Sequence, residues 1–269
     1  MAEATSKVPE FDVRDVSRVF GRGQGRVAAV DGVSLRIWPG QRVGIVGESG
    51  SGKSTLVRLM AGLLPVTSGA IDFGGQTISG VSERDLGFLR ARVAMVFQDP
   101  RSSLDPRMRV GRTITEPLRS PVLRGRPGIP TNAAGRAARL AEIMTKVGLD
   151  PAIADRYPHE FSGGQRQRVA IARALAPRPR VLIADEATSA LDVSARAHIL
   201  NLIVDRVRDD GLTLIFVSHD LAVIRHVCET VFVMRAGRVV EAGPAEQIYN
   251  EPADPYTREL LAAIPKLKI

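Results

Sequence analysis

Val43-Gly44-Ile45-Val46-Gly47-Glu48-Ser49-Gly50-Ser51-Gly52-Lys53-Ser54-Thr55-Leu56 is the stretch from which the rest of the chain can be read. A β-branched run leads into a glycine-rich loop, and Leu56, Leu59, Met60 and Leu63 follow at helical spacing. Gly47, Gly52, Lys53 and Ser54 fit G-x-x-x-x-G-K-[ST], and a strand before the loop with a helix after it is the context that this pattern requires. The loop is read as a phosphate cradle. Glycines let the backbone curl until several N–H groups point inward, and the following helix adds the positive end of its dipole. Lys53 supplies a point charge for the β- and γ-phosphates, and Ser54 a hydroxyl for Mg²⁺. A glycine-rich turn that binds nothing is the competing reading, and the flanking strand and helix argue against it.

Upstream of the loop, Phe11, Val13, Val16 and Val19 alternate loosely, so Phe11 to Phe20 is expected to be a strand opening a small antiparallel region. Gly21 to Gly25 reads as a basic loop, Ala28 to Ile37 resumes strand character, and Pro39-Gly40 turns the chain into Gln41 to Val46. Phe20 stands before such a turn, where it could stack on an adenine face or be a half-buried core residue. Downstream, Ala70 to Phe73 is a short strand between glycine turns, Leu86 to Arg92 reads as helical, and Val93 to Phe97 as a buried strand that ends at Gln98-Asp99-Pro100. A polar residue at the carboxyl end of a buried strand in an open α/β sheet is placed to touch a ligand, which makes Gln98 a candidate for Mg²⁺ or its water. Capping a turn is the alternative for Gln98.

From Asp99 to Pro158 the pattern becomes a helical insertion rich in proline and arginine, with one clear helix over Ala133 to Val147 and an expected exposed loop over Leu118 to Thr131. The run Phe161-Ser162-Gly163-Gly164-Gln165 then opens a second helix. Ser162 with the backbone N–H groups of Gly163 and Gly164 makes another anion-binding nest. One nucleotide has a single γ-phosphate, so two nests in one chain suggest a site shared between two chains.

Val181-Leu182-Ile183-Ala184-Asp185-Glu186 is an apolar run that ends in adjacent carboxylates. Asp185 is placed to hold Mg²⁺ through water and Glu186 to orient and polarise an attacking water, against the alternative of two solvated acids. Ser189-Ala190-Leu191-Asp192 leads into another helix, and Leu212 to Val217 is a further buried strand ending in Ser218-His219-Asp220. At that strand end His219 is a candidate γ-phosphate sensor, whereas His159, His198 and His226 are given no such role. Cys228 is read as a small packed residue.

Length and composition bound the alternatives. With 269 residues, 44% of them hydrophobic, the chain can bury a substantial core, and a single cysteine excludes both an internal disulfide framework and a cysteine-based metal cluster within one chain. Met1 to Glu10 lacks the apolar core of a secretory signal, and no apolar run approaches the ~18 residues needed to span a bilayer, so a soluble or peripheral protein is expected. A net charge of +8 would suit nucleic acid or anionic lipid. The arginines are spread along the chain and aromatics make up only 4%, so the basic-plus-aromatic pattern of single-strand binding is weak.

Taken in order, Gly47 to Thr55, Gln98, Ser162 to Gln165, Val181 to Glu186, Ser189 to Asp192 and His219 resemble the nucleotide-binding domain of ATP-binding cassette (ABC) proteins. The Ser-Gly-Gly-Gln signature distinguishes that family from other P-loop ATPases and argues against a P-loop kinase. The resemblance implies an α/β fold: a RecA-like P-loop NTPase core, an antiparallel β subdomain, and an α-helical subdomain that holds the signature. It implies one nucleotide-binding domain over residues 1–269, with the helical subdomain at 99–176 and a tail at 244–269. Gly47, Glu48, Ser49, Gly50, Ser51, Gly52, Lys53, Ser54 and Thr55 would bind the phosphates of ATP and Mg²⁺, and Phe20 the adenine. Gln98 would serve the metal and the attacking water, Asp185 the metal, Glu186 the water, and His219 the γ-phosphate. Ser162, Gly163, Gly164 and Gln165 would cap the nucleotide held by an opposing domain.

Phe97-Gln98-Asp99-Pro100, Ser103-Leu104-Asp105-Pro106, Tyr157-Pro158-His159-Glu160-Phe161 and Asp254-Pro255-Tyr256-Thr257-Arg258 look like the oligopeptide, dipeptide and nickel importer branch. Ala187 departs from the family by standing where a proline commonly follows the catalytic Glu, and the cysteine-bearing C-terminal extension of many peptide importers is expected to be absent. The implied function is ATP hydrolysis coupled to import of a small solute, at the cytoplasmic face of the cell membrane. The implied partners are integral-membrane permease subunits, a second ATP-binding subunit, identical or paralogous, and indirectly an extracytoplasmic substrate-binding protein. A soluble cassette ATPase acting on DNA or the ribosome is the alternative, and the long coiled-coil or zinc insertions usual in such proteins are not found.

Overall fold

The structure is a computed structural model that describes residues 8–21, 23–99, 103–189 and 191–263. Pro100 and Ala190, quoted above within motifs, lie outside the described residues, as do Arg22 and both chain ends. The strands are β1 (Phe11–Phe20), β2 (Val27–Ile37), β3 (Arg42–Val46), β4 (Ser68–Phe73), β5 (Gln76–Thr77), β6 (Val93–Val96), β7 (Val181–Asp185), β8 (Thr213–Ser218), β9 (Thr230–Arg235) and β10 (Arg238–Pro244). The helices are α1 (Lys53–Met60), α2 (Gly87–Arg90), α3 (Val110–Thr115), α4 (Ala133–Lys146), α5 (Gly163–Leu175), α6 (Val193–Asp209), α7 (Leu221–Val227), α8 (Ala245–Asn250) and α9 (Pro255–Ala262). Two compact units are formed, one from residues up to Leu89 together with those from Thr213 onward, the other from Arg90–Leu212.

In the first unit an antiparallel sheet runs β2-β1-β4-β5. Its period-two alternation buries Phe11, Val13, Leu35, Ile37, Ile71 and Phe73 on one face. The other face carries Asp12 bridging Arg14 at 2.9 Å and Arg36 at 3.0 Å, while Arg14 also reaches Asp72 at 2.7 Å. Those arginines hold the carboxyls of Asp12 and Asp72 below the usual carboxylate range, against the opposing effect of burial.

The same unit contains β3 between β8 and β9, parallel to both, with Val43 in register with Ile215 and Thr230. Parallel strands are covered on both faces, which is why β3 and β8 read as nearly continuous apolar runs. The antiparallel pair β9–β10, which sequence reading leaves unassigned, turns at Ala236 and Gly237, both at positive φ.

The second unit pairs β6 with β7 in parallel, Val93 opposite Val181 and Val96 opposite Ala184. Helix α5 packs against α3, α4, α6 and β6, and buries Val169, Ile171, Ala172 and Leu175. Arg139 on α4 closes its carboxyl end. Its guanidinium donates to the carbonyls of Leu175 (2.8 Å) and Ala176 (3.0 Å) and pairs with Glu142 (2.8 Å), with 7% of the side chain exposed. Arg139→Ala is expected to cost about 2–3 kcal/mol, because it leaves helix-end carbonyls without their donor. Arg139→Lys should recover little, since an ammonium cannot fork across both oxygens. Chemical denaturation midpoints check this.

Two expectations need correction. Leu118 to Thr131 is not a plain exposed loop: it carries 3₁₀ turns at Glu116–Arg119 and Pro121–Leu123, and Leu118, Leu123 and Ile129 are buried. The prolines there start turns at positions that need no N–H acceptor, so they order the segment. The insertion also holds a second helix, α3, which its β-branched sequence disguised; burial of Val110, Thr113 and Ile114 overrides that propensity.

Candidate nucleotide site

The loop after β3 is shaped by backbone crowding as well as by its donors. Gly47 has φ +151 and Gly52 φ +102. A Cβ at Gly47 would collide with the carbonyl oxygen of Met234, and one at Gly52 with that of Ala29. The loop is therefore pressed against β2 and the end of β9, and its glycines are required there before any ligand is considered. The N–H of Gly237 also donates to the carbonyl of Ser51 at 3.0 Å, which ties the β9–β10 turn to the loop.

Lys53 is 4% exposed and opens α1. Its ammonium donates to the carbonyls of Gly47 (2.8 Å) and Glu48 (2.7 Å), so the charge is held inside the curl of the loop. Glu48, Ser49 and Gly50 are exposed, and Ser51 is buried. Ser54 and Thr55 are half-buried in the first turn of α1, where backbone N–H groups have no acceptor within the helix.

His219 follows Ser218, the register partner of Val46, so it leaves its strand beside the loop. It is exposed, and Asp220 next to it caps α7 by accepting the N–H of Ala222 at 2.9 Å. Phe20 ends β1 at 39% exposure with the guanidinium of Arg18 4.7 Å from its ring centroid, so it is a surface aromatic with a cationic neighbour and not a core residue. Cys228 is buried, and that burial pushes its thiol far above the ordinary range, which leaves it protonated and inert.

The second unit places three of the named residues at one pair of strand ends. Asp185 closes β7 and is 3% exposed. Glu186 follows at φ +48, a left-handed conformation that costs energy for a side chain with a Cβ and is common where a site needs an aimed residue. Gln98 donates from Nε2 to the Glu186 Oε2 at 3.0 Å. Ser189 donates to the Glu186 carbonyl at 3.0 Å, which fixes the turn on its other side.

The Ser162-to-Gln165 turn is a reciprocal cap. Ser162 Oγ accepts the Gln165 N–H at 3.3 Å, and Gln165 Oε1 accepts the Ser162 N–H at 2.9 Å. Ser162, Gly163 and Gln165 are exposed, so the amino end of α5 faces outward. Arg166 supports the turn by donating to the carbonyls of Pro158 (2.7 Å) and His159 (3.3 Å), a role its place in the motif did not suggest.

Ser54 in the first unit and Asp185 and Gln98 in the second each carry oxygen donors of the kind Mg²⁺ takes. Among the described residues no group of three or more His, Cys, Asp or Glu is gathered for a metal. A hard cation held by a hydroxyl, one or two carboxylates and phosphate oxygens needs no such cage.

The family model described as ABC transporter matches residues 30–189. The glutathione import ATP-binding protein of Escherichia coli K12 is 49% identical over 258 residues, which are 96% of this chain and 40% of that protein. Its counterpart in Shigella dysenteriae is 48% identical over 259 residues. The chain thus spans about two fifths of the length of these curated relatives. Among solved structures, a dimeric ATP-binding cassette in a post-hydrolysis state with ADP and Pi has a TM-score of 0.78 at 30% identity, covering 87% of this chain and 98% of that one. A cassette from Clostridium perfringens, part of the ABC transporter complex cbiONQ, has a TM-score of 0.78 at 29% identity, with 90% and 91% of the two chains covered. A match over more than half of its length, joined to a cassette fold, means that the chain belongs to the ABC transporter family.

Proposed function

We propose that this chain is the ATP-binding and ATP-hydrolysing subunit of an importer, docked on permease subunits at the cytoplasmic face of the cell membrane. The observation that carries the reading is the presence, in one chain, of the Lys53 loop and the exposed Ser162-to-Gln165 turn, two separate structures that would each take phosphate. The loop would hold the phosphates of one ATP, with Phe20 against the adenine. Ser162, Gly163, Gly164 and Gln165 would cap the ATP held by a second cassette, identical or paralogous.

Lys53 supplies positive charge to the β- and γ-phosphates, and His219 contacts the γ-phosphate from the neighbouring strand end. Bound Mg²⁺ neutralises phosphate charge, and Ser54, Asp185 and Gln98 are the residues that would hold it. Glu186 orients the attacking water and accepts its proton, and the Gln98 amide keeps that carboxylate aimed. Identity to the glutathione import proteins favours peptide-like cargo, with nickel as the other cargo the motifs allow.

Purification of the tagged chain from gently solubilised native membranes, followed by mass spectrometry, tests the assignment. Multi-span permease subunits and a peptide-binding protein encoded with them are the expected company. Recovery of ribosomes or DNA-repair proteins without any permease would overturn the importer reading in favour of a soluble ATPase, to which the charge of +8 would then belong.

A further inference from the structure

The Asp254-Pro255-Tyr256-Thr257-Arg258 stretch takes no part in the chemistry above, yet its residues make a connected set of contacts. Asp254 caps α9 by accepting the N–H of Tyr256 at 2.8 Å, and Pro255 sits at a position that needs no N–H acceptor. Arg258 donates back to the carbonyls of Pro252 (3.0 Å) and Ala253 (2.8 Å). Glu241 on β10 accepts the N–H groups of Ala253 (2.8 Å) and Asp254 (3.1 Å), which anchors the segment to the sheet.

These contacts fix Tyr256, which is 2% exposed. Its hydroxyl oxygen accepts the backbone N–H of Glu48 at 3.0 Å, and the Arg235 guanidinium lies 4.7 Å from its ring centroid. Burial pushes the hydroxyl above its ordinary pKa, so it is a neutral acceptor. The Glu48 N–H belongs to the same peptide unit as the Gly47 carbonyl, which accepts from Lys53 at 2.8 Å. One peptide plane at the start of the phosphate loop is therefore held at both ends, by Tyr256 on its N–H and by Lys53 on its carbonyl.

We propose that Tyr256 is a positioning residue for the phosphate loop, and that docking of α9 and nucleotide binding by the loop are energetically coupled. The proposal rests on the reading above that this loop binds nucleotide. Without the hydroxyl the Glu48 N–H loses that partner, Lys53 alone is left to hold the peptide plane, and the loop donors behind it lose a fixed reference. Coupling is reciprocal, so whatever α9 does for nucleotide affinity, nucleotide must do for the stability of α9.

Tyr256→Phe in the full chain removes one oxygen and keeps the ring. MgATP affinity should fall roughly tenfold, the size expected for losing one part-buried hydrogen bond, while the melting temperature without nucleotide stays within about 4 °C of wild type. In the wild type, MgATP should slow hydrogen exchange at the α9 amides from Tyr256 to Ala262, and Tyr256→Phe should lose that protection. An affinity within twofold of wild type would overturn the proposal. So would exchange at the wild-type α9 amides that does not respond to MgATP, a result that needs no variant to fold. Lys53→Ala, measured alongside, separates the two layers: if it binds MgATP like wild type, the loop reading falls together with this proposal, whereas lost binding in Lys53→Ala with wild-type binding in Tyr256→Phe overturns the coupling alone.

Discussion

Glu186→Gln should bind MgATP as tightly as wild type and turn it over at least about 100-fold more slowly, the scale of a lost general base. The substitution is nearly isosteric. The amide oxygen it leaves can still accept from Gln98 Nε2, now 3.0 Å from the carboxylate, and the side chain has the same need for the left-handed backbone at φ +48. What disappears is the negative charge that polarises water and takes its proton. Phosphate release at saturating MgATP gives the rate and equilibrium dialysis gives the affinity. Wild-type turnover by Glu186→Gln would remove Glu186 from its assigned role.

Lys53→Ala should act on the other quantity, with MgATP affinity reduced roughly 10- to 100-fold. Lys53 is 4% exposed and its ammonium is held among the loop carbonyls of Gly47 and Glu48, so its attraction for a phosphate is little screened by water. Its removal also frees those carbonyls to face the phosphates, which adds repulsion to the lost charge. The two variants therefore separate binding from turnover, and isothermal titration of each with MgATP reads the difference.

Much of the local geometry of the candidate site could be read from sequence because it is locally encoded. The Gly47-to-Ser54 spacing, the apolar run ending in Asp185 and Glu186, and the Ser162–Gln165 capping pair are each set by residues within a few positions of one another. What escaped the reading depends on long-range contact. Tyr256 meets Glu48 across a separation of 208 residues, and Arg139 reaches the end of α5 across 36 and 37, neither of which leaves a periodic trace. The Asp254-to-Arg258 pattern was visible as a motif, but its partner in the loop was not. Helix α3 was hidden for a related reason: its β-branched residues favour a strand locally, and burial against α5 decides otherwise.

Under the proposed function, the loop and the signature turn of one chain serve different nucleotides. The direct test is to assemble the Glu186→Gln form on its permease with MgATP, then determine the mass of the intact complex and its bound ATP. Two cassettes, of one kind or two, holding two ATP molecules between them is the expected result. A complex with a single cassette and a single ATP would contradict it, because the Ser162-to-Gln165 turn would then have no nucleotide to cap.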